Sequence, residues 1–210
     1  MGISIIDISS DNGVIDFERV ANAMMPDAND GNKRVIIRTS LGYGDKDKMC
    51  GTNANAAIAA GMTVSYYHFA YPDKKTGGTV ESDSQAEANY FCDTVQALPA
   101  FEFLIIDLEQ ASPLTQIEYA QWLSSFLTCV KTRLSADVVI YTYADFLNRM
   151  LPDNHAFGAN KLWIANYSAQ THPPLPKGWA GYFMWQYSET GVLDGIPGKV
   201  DCSVFNASTI

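Results

Sequence analysis

The sequence predicts an α/β barrel made of five strand–helix units followed by three more strands. Two observations carry that reading. Through residue 151 of the 210-residue chain, short β-branched or aromatic runs alternate with helical stretches. Beyond it, three short strand-like runs are separated by Gly- and Pro-rich segments with no helical period. Helices placed between successive strands imply parallel pairing through right-handed crossovers. Eight such strands can close on themselves, here in a barrel that lacks its last helices.

The elements follow in order. Residues 4–8 form a β-branched run ending in Asp7 and Ile8, followed by a Ser-Ser-Asp-Asn-Gly turn and a helical stretch over 16–23. Residues 34–38 (Arg-Val-Ile-Ile-Arg) read as the second strand, and 52–60 as a small-residue helix stopped by Gly61. Residues 63–69 form an aromatic-rich third strand. After a Gly-Gly loop, Ser82 and Gln85 have capping-box spacing and predict a helix from there to about residue 97. Residues 103–107 (Phe-Leu-Ile-Ile-Asp) are the clearest buried strand. The next helix is capped by Thr115 and Glu118, with Ala120, Leu123, Leu127, Val130 and Leu134 on one stripe. A fifth strand spans 138–142, and a fifth helix spans 143–151, halted before Pro152. Residues 162–165, 182–186 and 199–202 complete the count as strands. No repeat, linker or low-complexity tail interrupts the pattern, so a single domain over residues 1–210 is expected, with no separate binding domain.

Composition excludes several classes of function. Apolar residues make up 47% and charged residues 18%, which suits a folded core rather than a disordered chain. Fourteen Lys and Arg against 23 Asp and Glu leave a net charge of -9, unfit for general phosphate binding or docking on anionic lipid. No apolar run approaches the ~18 residues that suggest a membrane span, and the N-terminus shows no charged leader. Cys50, Cys92, Cys129 and Cys202 are too dispersed for a zinc site and read as free thiols, with a Cys92–Cys129 bridge as the alternative.

Four acids fall at or just beyond strand ends: Asp7, Asp107, Glu109 and Asp201. Acids in apolar strands are uncommon unless paired or functional. Asp107 and Glu109 are two residues apart, so extended backbone points both to one side, roughly 6–7 Å apart. Two carboxyls on one wall are what glycosidic bond cleavage requires, and like-charge crowding keeps one of them protonated. An Asp-x-Glu pair alone equally suits helix capping or Arg binding; the apolar strand before it and the two further acids favour chemistry. Many aromatics lie near strand ends, and alternation turns about half of them away. Tyr67, Tyr141 and Tyr167 are the expected sugar contacts. Arg38 suits pairing with an acid or contact with an acetamido carbonyl. Gln186 suits donation to the sugar or to Asp201. His68, between Tyr67 and Phe69, is expected to face the helices as a structural residue.

With these residues in place, the chain resembles glycoside hydrolase family 25, the Chalaropsis-type lysozymes. The matching stretches are 5–10 (Ile-Ile-Asp-Ile-Ser-Ser), Asn12 with Gly13, and Ile15 with Asp16 and Phe17, then 66–70 (Tyr-Tyr-His-Phe-Ala) and 106–109 (Ile-Asp-Leu-Glu). They continue with 140–142 (Ile-Tyr-Thr), 162–167 (Leu-Trp-Ile-Ala-Asn-Tyr), 184–188 (Met-Trp-Gln-Tyr-Ser), 191–198 and Val200 with Asp201. The resemblance implies an irregular TIM-like (β/α)5β3 barrel and 1,4-β-N-acetylmuramidase activity on bacterial peptidoglycan glycan strands. It also implies Glu109 as catalytic acid, Asp107 as its paired carboxylate, and Asp7 and Asp201 as further active-site acids. Retention with help from the substrate's 2-acetamido group is the chemistry proposed for the family. One departure follows the second strand, where Arg38-Thr-Ser-Leu-Gly42 lacks the family's frequent Glu.

No cofactor or metal is expected, nor any nucleic-acid partner or membrane insertion, and a monomer is expected. The expected place of action is the bacterial cell wall, reached by phage-type release from the host cytoplasm or as a mature secreted form. Two readings compete: a catalytically silent glycan-binding barrel, and a metal-dependent hydrolase or lyase using the four acids as ligands for a hard cation such as Mg2+.

Overall fold

A computed structural model describes residues 2–169 and 171–206; residues 1, 170 and 207–210 of the expected single domain lie outside the described residues. Eight strands close a barrel in the order β1 (Ile5–Ile8), β2 (Arg34–Leu41), β4 (Thr63–Phe69), β5 (Leu104–Asp107), β6 (Val138–Thr142), β7 (Leu162–Ala165), β8 (Met184–Gly191) and β9 (Val200–Phe205). β3 (Asp45–Lys46) is a two-residue strand paired antiparallel to the end of β2. From β1 to β8 neighbouring barrel strands run parallel, and β9 runs antiparallel to both β8 and β1. The alternation had implied parallel pairing, but the eight residues between β8 and β9 carry no helix, and so short a connection reverses the chain.

Helices α1 (Phe17–Ala23), α2 (Cys50–Ala59), α3 (Val80–Gln96), α4 (Gln116–Leu134) and α5 (Ala144–Met150) connect the first half of the barrel. Three sequence expectations are corrected here. The capping box of α3 is Thr79 with Ser82, not Ser82 with Gln85: Thr79 Oγ1 accepts from Ser82 N at 3.0 Å, and Ser82 Oγ accepts from Thr79 N at 3.1 Å. The buried face of α4 is Tyr119, Trp122, Leu123, Phe126 and Val130; Ala120, Leu127 and Leu134 are only half-buried, because the bulkier rings fill the gap against the sheet. The penultimate strand starts at Met184 rather than 182 and continues through polar residues to Gly191. The Thr115–Glu118 capping box on α4 forms as expected.

Side chains alternate between two cores. Ile6, Ile37, Val64, Ile106 and Ile140 point outward to the helices, whereas Ile5, Ile36, Ile105, Val139 and Trp163 fill the barrel. Burying each aliphatic side chain stabilises the fold by roughly 1.5–3 kcal/mol. The floor of the barrel is aromatic: Phe103, Phe183 and Phe205 meet with centroids 5.1–6.1 Å apart, and Lys161 Nζ lies 4.2 Å from the Phe183 centroid. This floor seals one end, so the inward polar residues collect at the other, where the parallel strands end. All four cysteines are free thiols, and burial pushes that of Cys92 up to about 12.

Candidate active site

The strand register sets the site. Asp7 ends the inward row of β1 and is the Cα partner of Asp201 on β9. Asp107 ends the inward row of β5, paired on one side with Phe69 and on the other with Tyr141. Leu108 then turns into the outer core, fully buried, and Glu109 returns to the inner side. The four acids thus line one cavity of about 300 Å³ at the C-terminal end of the parallel strands. A larger groove of about 880 Å³ between α3 and α4 has a single acid, Glu81, in its polar lining and offers no carboxyl pair.

Electrostatics follow from crowding in a buried space. Burial first, then Asp201, raises the Asp7 carboxyl well above the usual carboxylate range. Burial and then Glu109 raise Asp107 in the same way. Glu109 is raised by burial and by Asp201, and Asp201 chiefly by burial. The contact between Asp7 and Asp201 acts on the two in opposite directions, raising Asp7 and lowering Asp201. The site therefore keeps protonated carboxyls at a pH where exposed acids are ionised. Asp107 is 6% exposed, and its Oδ1 has no hydrogen-bond partner, leaving an acceptor open in the cavity.

Gln186 is the hub of the opposite wall. Its Nε2 donates to both carboxyl oxygens of Asp7 at 3.0 Å, while its Oε1 accepts from Tyr141 OH at 2.8 Å and Tyr167 OH at 2.7 Å. The sequence reading had offered Asp201 or the sugar as its partner. The register corrects this, because Asp7 lies beside Asp201 and nearer the Gln186 amide. Both Gln186 functions are satisfied by protein, so it orients Asp7. Tyr141 is buried and lines the cavity. Tyr167 is half-exposed, outside the cavity lining, and reaches it through Gln186.

Arg38 lines the same cavity, and pairing with acids is what the structure shows: Nε donates to Asp47 at 3.1 Å and Nη2 to Asp11 at 2.9 Å. Asp47 is itself buried and accepts from Ser10 N and Met49 N, each at 2.9 Å, which locks the loop after β1 to the start of α2. Tyr67 lines the cavity as expected, its hydroxyl held protonated by burial and by Asp7 and Asp107. Sequence reasoning did not choose Ser9, Asp11, Asn12, Phe69 or Trp163, which also line it. Phe69 and Trp163 carried a usable signal, each sharing inward parity with a chosen neighbour. Asp11 and Asn12 sit in a 3-10 turn after β1, where side-chain direction has no period to read. Among the described residues, no group of His, Cys, Asp or Glu is arranged to hold a metal ion.

The family model described as Glycosyl hydrolases family 25 matches residues 6–196. Lysozyme M1 of Streptomyces globisporus is 29% identical over 99% of this chain and 69% of its own length. The crystal structure of a bacterial lysozyme from Streptomyces coelicolor superposes with a TM-score of 0.81 at 27% identity, covering 100% of this chain and 94% of that one. The CTP1L endolysin structure gives 0.77 at 28% identity, covering 97% and 66%.

Proposed function

The chain belongs to glycosyl hydrolase family 25 and is a lysozyme-type glycoside hydrolase acting on peptidoglycan, and from that premise we propose that it cleaves the β-1,4 bond between N-acetylmuramic acid and N-acetylglucosamine, with Glu109 as general acid and base. The observation that supports this most is the placing of Asp107 and Glu109 on one wall of a cavity holding two further acids, all four with raised proton affinity.

Glu109 is half-buried, and burial followed by the Asp201 charge raises its proton affinity, which suits it to deliver a proton to the glycosidic oxygen as the bond to the anomeric carbon breaks. The substrate's acetamido oxygen attacks that carbon from the opposite face, giving a cyclic oxazolinium. Asp107 Oδ1, buried and unpartnered, accepts the acetamido N–H and sets this geometry. Water then adds to the anomeric carbon and gives its proton to the Glu109 carboxylate, restoring the acid with overall retention. Gln186 fixes Asp7 beside its register partner Asp201, so the pair presents carboxyl oxygens to the developing oxocarbenium. In the family reading the place of action is the bacterial wall; among the described residues, no helix is long and apolar enough to cross a membrane.

The test is release of new reducing ends from purified peptidoglycan, with mass spectrometry of the products. The native chain should yield muramic-acid ends, and Glu109→Gln should lower the rate by at least a hundredfold, the usual scale for a general acid. A native chain that binds wall without releasing ends is a glycan-binding barrel instead.

A further inference from the structure

Behind the cavity wall lies a polar chain that the reaction does not use. Ser40 on β2, His68 on β4 and Glu87 on α3 are all buried, with 0%, 0% and 2% of their surface exposed. Ser40 Oγ lies 2.9 Å from His68 Nδ1, and His68 Nε2 lies 2.9 Å from Glu87 Oε2. The imidazole packs against both the Phe91 and Phe126 rings, with centroids 5.5 and 5.3 Å away. A carboxylate only accepts, so Nε2 carries its proton toward Glu87. As the sequence suggested, His68 faces the helices. It does more than fill space there: the same Glu87 oxygen also accepts from Tyr71 N at 3.1 Å, in the loop that leaves β4.

Tyr71 continues the cavity wall outward. Phe69 lines the cavity, and the Tyr71 ring packs on it at 5.3 Å while keeping 39% of its surface in solvent. Its other edge rests on the backbone of Gly42, whose N–H bonds Phe69 O at 2.9 Å and whose φ is +47°. A Cβ at Gly42 would come within 2.7 Å of the Tyr71 ring, so the approach requires glycine. The loop beyond is fixed as well: buried Asp83 accepts from Thr76 N at 2.9 Å and from Trp122 Nε1 at 2.9 Å. An exposed aromatic ring clamped on one side by a glycine and pinned through its own backbone amide is rigid, and rigidity is what a stacking platform needs.

Resting on the muramidase reading, we propose that Tyr71 is a platform for a sugar ring beyond the carboxyl-lined cavity, and that Ser40, His68 and Glu87 are positioning residues that hold it. The platform contributes only when the glycan is long enough to reach it. On the scale of one aromatic contact, its loss lowers kcat/KM on long strands two- to tenfold, from about 0.5–1.5 kcal/mol.

The experiment compares kcat/KM on a tetrasaccharide and an octasaccharide of the peptidoglycan glycan. The native chain should favour the octasaccharide. Tyr71→Ala should shrink that preference and Tyr71→Phe should keep it. Glu87→Leu, which removes the acceptor oxygen, should shrink it in the native background and add nothing in Tyr71→Ala, while its effect on the melting temperature is the same in both. A Tyr71→Ala variant with the native length preference overturns the platform. A Glu87→Leu variant that shifts melting but not length preference overturns the positioning role. A native chain that cuts neither fragment overturns the muramidase reading itself, a separate result.

Discussion

Asp107 shows what a single residue's environment costs the fold. Burial, Glu109 and Asp7 raise its proton affinity above that of an unfolded aspartate. Between the unfolded carboxylate range and the raised native value the folded chain binds more protons than the unfolded one, so stability falls as pH rises through that window. Below the window both states are protonated and the penalty vanishes. Asp107→Asn removes the charge, and should therefore stabilise the chain at pH 7 by about 1 kcal/mol while abolishing most activity. Urea unfolding at pH 7 and pH 4 checks it: the gain should shrink toward pH 4, and a gain equal at both would show that charge is not its source. At this scale the acids were legible, because a carboxyl in an apolar strand stands out in one dimension. The Gln186–Asp7 contact was not, since its partners are 179 positions apart and only barrel closure brings them together.

Among the elements, the start of α3 separates what a motif says from what a helix does. Ser82 with Gln85 fits the capping-box spacing, yet the helix begins a turn earlier, where Thr79 and Ser82 satisfy each other's backbone N–H. Serine at the third helical position does the work usually given to Glu or Gln, so the pattern with the better sequence match lost to the one with the earlier stop, the positive-φ pair Gly77 and Gly78. Gln85 is exposed and reaches only Glu81, one turn away. Thr79→Ala should therefore lower stability by ~1 kcal/mol, whereas Gln85→Ala should stay within about 0.5 kcal/mol of native. The readout is the urea midpoint at constant slope; the reverse ranking would restore the later boundary. The same logic explains which strands were readable. Those separated by helices announced themselves by alternation, but the direction of β9 leaves no mark in composition, and β3 is too short to have a period.

For the molecule as a whole, the deciding quantity is charge. The net charge is -9, and most of the positive side chains are spent on acids of the same chain: Lys74 on Glu118, Lys131 on Asp137, Arg133 on Asp93, Lys177 on Asp153. Among the described residues, Arg38 is the one cation lining the cavity, and Asp11 and Asp47 already pair with it. Peptidoglycan is itself anionic through its stem-peptide carboxylates, so enzyme and wall repel at long range and attract only once a strand is seated. Salt shortens that repulsion to within a Debye length of ~8 Å at 0.15 M, against ~30 Å at 0.01 M. The rate on intact walls should accordingly rise over this range through KM. Short glycan fragments, with few charges, should respond much less. Turbidity clearance across a salt series, set beside reducing-end release from the fragments, separates the two. A clearance rate that falls with salt would mean instead that a basic surface docks the wall.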